Sequence, residues 1–130
     1  MQSRWFTPQT AREALATLRG PAEAISRAWQ ILEATRPDLI RGDTPVDGGY
    51  FVLVRALRSA VASVERAGVI VRDGRSGCLE FPARRAGRPV ILCWRVGEPG
   101  LASWREGEGD AVAHPLDDGP WDHPPRTAGP

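Results

Sequence analysis

Apolar residues recur at alternating spacings of three and four from Leu15 through Leu18, Ala22, Ile25 and Trp29 to Leu32, which gathers their side chains on one stripe of an α-helix. Thr7-Pro8 supplies the start. The Thr7 hydroxyl can accept from an unpaired N–H of the first turn, and proline at the first helical position forgoes a donor that has no partner there. Gly20-Pro21 interrupts the pattern; an interior proline removes a hydrogen bond and crowds the preceding turn, so the sequence predicts a kink or two abutting helices. The stripe continues across the break, so both halves face one partner. Arg36 to Gly49, with Pro37, Gly42, Pro45, Gly48 and Gly49, reads as a long connection. A second helix follows from about Tyr50 to Arg66, burying Tyr50, Leu53, Val54, Leu57, Val61 and Val64 and stopping near Gly68.

From Val69 onward the period changes to two. Val69 to Arg72, Cys78 to Pro82 and Pro89 to Val96 are apolar runs separated by turn residues, and Leu101 to Trp104 returns after Glu98-Pro99-Gly100 as a short fourth strand. With Arg84 to Gly87 as the hairpin loop, Phe81 pairs with Val90, Leu79 with Leu92 and Cys78 with Cys93, while Val71 lies beside Leu79. Because alternate residues point to opposite faces, Leu79, Phe81, Val90, Leu92, Trp94, Val96 and Leu101 share one side, the core face. The other side carries Ile70, Arg72, Cys78, Glu80, Pro82, Pro89, Ile91, Cys93, Arg95, Ala102 and Trp104. The predicted architecture is α+β: a helical hairpin, its first helix kinked, packed on one face of a three- to four-stranded antiparallel meander.

Three strings, Arg4-Trp5-Phe6-Thr7-Pro8, Gly68-Val69-Ile70-Val71-Arg72-Asp73 and Leu79-Glu80-Phe81-Pro82-Ala83 continuing to Leu92-Cys93-Trp94-Arg95-Val96-Gly97-Glu98-Pro99, resemble the family catalogued as domain of unknown function 2203. The similarity covers roughly residues 4 to 105 and rests chiefly on the string Leu92 to Pro99. Members of that family typically read Asp where this chain has Glu80 and a Trp-His pair where it has Trp104-Arg105, and the Gly-Phe and Arg that usually follow are not evident in residues 109–116. A role resting on that histidine is not carried over onto Arg105. The resemblance implies the fold and no established activity.

Composition changes this picture at the C-terminal end. Residues 1–104 hold 15 arginines against 10 acidic residues, a net of +5, whereas residues 105–130 hold 2 against 6, a net of −4, with many Gly and Pro and no periodic apolar pattern. The chain therefore divides into a single domain, 1–104, and a flexible acidic tail, 105–130, expected to be disordered and to bury little apolar area. All 17 basic residues are arginine, with no lysine or asparagine in the chain, a bias of the kind a GC-rich bacterial-like genome produces and not by itself a nucleic-acid signature. No apolar run spans a membrane, and the first residues lack the apolar core of a signal peptide. The expected location is the cytoplasm, where two cysteines are free thiols.

Candidate chemistry clusters in the last third of the domain. Cys78 and Cys93, placed opposite each other by the expected register, form a candidate redox pair. Trp94, Arg95, Glu98 and Trp104 gather at one end of the sheet, where Arg95 can fork onto a carboxylate or phosphate, a tryptophan can stack, and Glu98 can act as a base or as the partner of Arg95. Glu80 and Ile91 join them as candidate ligand or interaction residues of the outer face. His114 and His123 with Asp117, Asp118 and Asp122 have metal-ligand chemistry without an arranged geometry, so no metal and no cofactor is assigned. No Ser-His-Asp, Cys-His, phosphate-loop or nucleotide fingerprint is present, which leaves catalysis unsupported. The outer face, with Ile70, Ile91, Cys93 and Trp104 bordered by charge, asks for a cover. The reading ranks first a non-catalytic interaction module that forms a homodimer or binds a protein partner there, with nucleic acid and membrane disfavoured, and second a small-anion or redox-sensitive site around Cys93 to Trp104.

Overall fold

The computed structural model of the chain describes residues 5–41, 48–107 and 112–125. Helices α1 (Pro8–Arg41) and α2 (Gly48–Arg66) precede five strands: β1 (Ile70–Asp73), β2 (Cys78–Arg85), β3 (Arg88–Trp94), β4 (Ser103–Arg105) and β5 (His114–Pro115). The strands form one antiparallel sheet in sequence order. The fold is the expected α+β hairpin on a meander, with one strand more than the pattern of alternation predicts.

Helix α1 begins as the sequence indicates. Thr10 N–H donates to the Thr7 hydroxyl at 3.1 Å and Thr7 N–H donates to the Thr10 hydroxyl at 2.8 Å, a reciprocal cap that satisfies two end donors. Ala11, Leu15, Leu18, Ala22 and Ile25 are buried in the common core. The helix passes through Gly20-Pro21 as one element, so the interruption is a proline within a helix and not a junction of two. Residues 36–41, expected in the connection, extend α1; Pro37 removes one donor without stopping the residues after it from being helical. The remainder of that connection, 42–47, lies outside the described residues. Trp29 departs from the expected stripe. It is 38% exposed, and its indole lies over the β1–β2 turn, so close that a Cβ on Gly74 would collide with it.

Helix α2 packs chiefly on α1 and reaches the sheet at β1. Of its predicted apolar face Val64 is wholly buried, and Leu57 and Val61 pack at the margin of the core. Its end is closed by Gly68 N–H on Glu65 O and Val69 N–H on Val64 O, the paired bonds of a Schellman motif, with Gly68 at φ 84.

The β2–β3 turn sets the register. Arg85 pairs with Arg88 across a two-residue turn, Ala86-Gly87, in which both residues have positive φ, 51 and 77; such turns match the twist of the strands they join. The loop is therefore shorter than Arg84 to Gly87, and the ladder is displaced by two residues: Ala83 faces Val90, Phe81 faces Leu92 and Leu79 faces Trp94. An even displacement leaves faces unchanged. Leu79, Phe81 and Leu92 are 0% exposed and Trp94 is 2% exposed, all on the helix-covered side. Cys78 and Cys93, however, are not opposite each other: Cys93 faces Glu80, and Cys78 faces Asp73.

Trp104 also differs from expectation. Strand alternation resumes only at Ser103, so Trp104 pairs with Leu92 and sits on the core side, while Ser103 and Arg105 take the outer positions opposite Cys93 and Ile91. The irregular stretch before it lets both Leu101 and Trp104 turn inward; Leu101 is buried and Trp104 packs against the core.

Residues 112–125, assigned by composition to the tail, lie against the sheet. His114 and Pro115 pair with Trp104 and Ser103. Ala86 N–H donates to Pro120 O and Asp122 N–H to Arg84 O, while the Trp5 indole donates to Asp122 O at 2.9 Å. Leu116 and Trp121 join the margin of the core. The rest of the expected tail, 108–111 and 126–130, lies outside the described residues.

Candidate functional site

On the sheet face away from the helices, ladder geometry sets Glu80 between Ile70 of β1 and Cys93 of β3. Its side chain is 3% exposed although neither helix covers it. Arg105 Nη2 donates to Glu80 Oε2, and Arg72 Nε lies 4.0 Å from the same oxygen. A carboxylate removed from water needs such compensation, and here it comes from the strands on either side of the β2–β3 pair. Glu80 and Arg105, two of the positions at which the chain departs from the pattern it resembles, are thus in contact with each other. Ile91, opposite Pro82 and Arg105, is half-buried on this face, and Ile70 is 50% exposed.

Beside this ion cluster is a cleft of about 410 Å³, lined by Cys78, Cys93, Arg95, Glu98, Ser103 and Arg105 and completed by Trp94, Trp104 and Ala113. Its walls come from β2, β3 and β4, and its lip is the turn after β3. Glu98 N–H donates to Arg95 O at 3.0 Å, and the Trp94 indole donates to Glu98 O at 3.0 Å. Trp94 therefore anchors the turn from within the core, where Arg19 lies 5.4 Å over its ring; it is not a free stacking surface. Arg95 and Glu98 are exposed, and among the described residues neither side chain makes an ion pair or hydrogen bond. Of the two roles open to Glu98, that of partner to Arg95 is not taken up here. Among the described residues, the buried side-chain N–H groups without a hydrogen-bond partner are Trp104 Nε1 and Arg105 Nε. Both residues line this cleft.

The thiols are free. Burial raises the Cys93 thiol to about 11, helped by Cys78 and Glu98 and opposed by Arg95. At neutral pH that keeps the thiol protonated, whereas the thiolate is the form that attacks or binds metal. Cys93 is accordingly a poor nucleophile, and a redox pair with Cys78 has lost the facing geometry that suggested it.

His114, Asp117 and Asp122 serve other contacts. Among the described residues no group of three or more His, Cys, Asp or Glu side chains is placed to hold a metal. His114 stacks on Trp104, centroids 4.4 Å apart. Asp117 binds Arg85 at 2.9 Å and Asp122 accepts from Gly87 N–H at 2.8 Å. The Arg85 guanidinium lies 4.8 Å from the rings of both Trp104 and Trp121, a caged cation that the sequence reading missed.

Of the predicted site residues, Cys78, Cys93, Trp94, Arg95, Glu98 and Trp104 come together around the cleft, whereas Glu80 and Ile91 belong to the adjoining face. Ser103, Arg105 and Ala113 were not foreseen as lining it; only the true register of β4 and the presence of β5 bring them there.

Residues 4–116 match the family model described as Uncharacterized conserved protein (DUF2203). No curated protein and no solved structure matches the chain.

Proposed function

We propose that this chain, which belongs to the DUF2203 family, is a non-catalytic binding domain whose cleft at the end of β3 and start of β4 takes a small anionic ligand. The observation that carries this reading is a cleft with an unmatched cation on its lip: among the described residues the Arg95 guanidinium makes no ion pair or hydrogen bond. A protonated Cys93 supports binding over covalent catalysis. Two free thiols suit a reducing compartment, and among the described residues no helix is long and apolar enough to cross a membrane; the cytoplasm is the location this reading takes.

Self-association through the outer face stands second. Ile70 and Ile91 support it, but Trp104 is not on that face and the Glu80–Arg105 ion pair occupies its middle.

The test is an amide-resonance titration with small carboxylates. Acetate and larger monocarboxylates are expected to shift Cys93, Arg95, Ser103 and Arg105 selectively, and Arg95→Gln to weaken binding by about tenfold, ~1.4 kcal/mol. Uniform or absent shifts, together with a dimer that Ile91→Arg converts to a monomer in sedimentation velocity, would return the surface reading to first place.

A further inference from the structure

Two opposite charges that have no partner among the described residues flank the cleft. Arg105 is already neutralised by Glu80, so among the described residues the cleft's unmatched charges are the Arg95 guanidinium and the Glu98 carboxylate, three residues apart on one turn closed by Glu98 N–H on Arg95 O. A simple anion gains Arg95 and is repelled by Glu98; a simple cation has the converse difficulty. A molecule carrying both signs satisfies both groups. From Arg95, Glu98 and the lining of Cys78, Cys93 and Ala113, we infer that the ligand is zwitterionic: an α-amino acid or similar compound with a short aliphatic side chain. Its carboxylate meets Arg95, its ammonium meets Glu98, and its side chain lies against the thiols and Ala113. This rests on the anion-binding reading and narrows it.

The structure also explains why Glu98 can be tested without dismantling the turn. Its main chain makes both turn-fixing bonds, to Arg95 O and from the Trp94 indole, while its side chain is exposed. Glu98→Gln therefore removes charge and leaves the scaffold.

The experiment compares L-leucine, 4-methylpentanoate (the same skeleton without the amine) and 3-methylbutylamine (without the carboxylate) by amide-resonance titration of the wild-type chain and Glu98→Gln. Leucine is expected to bind at least about tenfold more tightly than either analogue, and Glu98→Gln to bring leucine and 4-methylpentanoate to within about twofold of each other. Equal binding of leucine and 4-methylpentanoate by the wild type would overturn the zwitterion inference and leave the anion reading intact. Binding of the amine alone, or of none of the three, would overturn both.

Discussion

The two faces of this sheet are buried by different means. On the helix-covered face Leu79, Phe81 and Leu92 are wholly enclosed by apolar neighbours, and exclusion of water is itself the stabilising force. On the outer face Glu80 is nearly as enclosed, yet what covers it is charge: Arg105 in contact and Arg72 at 4.0 Å. The first face tolerates any shape that fills it. The second depends on both members of a pair, which makes it rigid in chemistry and places a fixed, neutralised ion cluster at the edge of the cleft. The difference separates a face held by apolar packing from one held by a charge pair.

The largest effect expected from breaking this contrast is on the first face. Phe81 is 0% exposed and meets Phe6 edge-on, centroids 5.4 Å apart. Phe81→Ala removes that ring from between α1 and the sheet and should lower stability by about 3–5 kcal/mol, measured by urea unfolding. A loss under about 1 kcal/mol would mean that the core is not organised around β2.

On the second face the prediction is a mismatch between single and double variants. Arg105→Leu leaves the Glu80 carboxylate buried with only Arg72 nearby. The expected loss is about 2–3 kcal/mol, below the usual range for a broken buried pair because Arg105 is 25% exposed. Adding Glu80→Leu removes the stranded charge and should restore most of that stability. Additive losses in the double-mutant cycle would show that the two side chains act independently and that the outer face is not held by their pairing.

The same contrast governs what could be read from the sequence. Inward residues were legible because alternation survives an even error: the tight Ala86-Gly87 turn displaced the ladder by two residues, and Phe81 and Leu92 still point inward. Cys78 and Cys93 shared a face as expected but lost their direct opposition, since facing partners, unlike faces, change with any shift. Trp104 was misplaced because residues 95–102 follow no period. Part of the cleft was visible as a local string, Cys93 to Glu98, whereas Ser103 and Arg105 reach it only through pairing with β3. The segment from His114 to Asp122 left no signal, because it docks by polar and aromatic contacts such as Arg85 with Asp117, 32 residues apart, to which hydrophobic patterning is blind.

That segment supplies the smallest and most selective way to sharpen the comparison, since it extends the helix-covered face with a charge-dependent contact. Asp117 accepts from Gly119 N–H at 3.0 Å and from Arg85 at 2.9 Å. The Gly119 N–H, and after it the Arg85 guanidinium, hold the Asp117 carboxyl below its ordinary value of 3.8. A carboxyl whose folded value is lowered contributes fully above its unfolded value, and the contribution is lost as pH falls through the lowered folded value. The Trp121 indole donates to Asp117 O at 2.8 Å, so its N–H resonance reports this contact, while that of Trp94, bonded to Glu98 O, reports the core. On acidification from pH 6, the Trp121 signal should move with a midpoint below 3.8 while the Trp94 signal holds until global unfolding. Asp117→Asn, which keeps an acceptor for Gly119 but no charge for Arg85, should abolish the separate Trp121 transition. If both indoles move together in the wild-type chain, residues 112–125 unfold as one unit with the apolar core, and the division between a face held by packing and a margin held by charge does not extend to this end of the molecule.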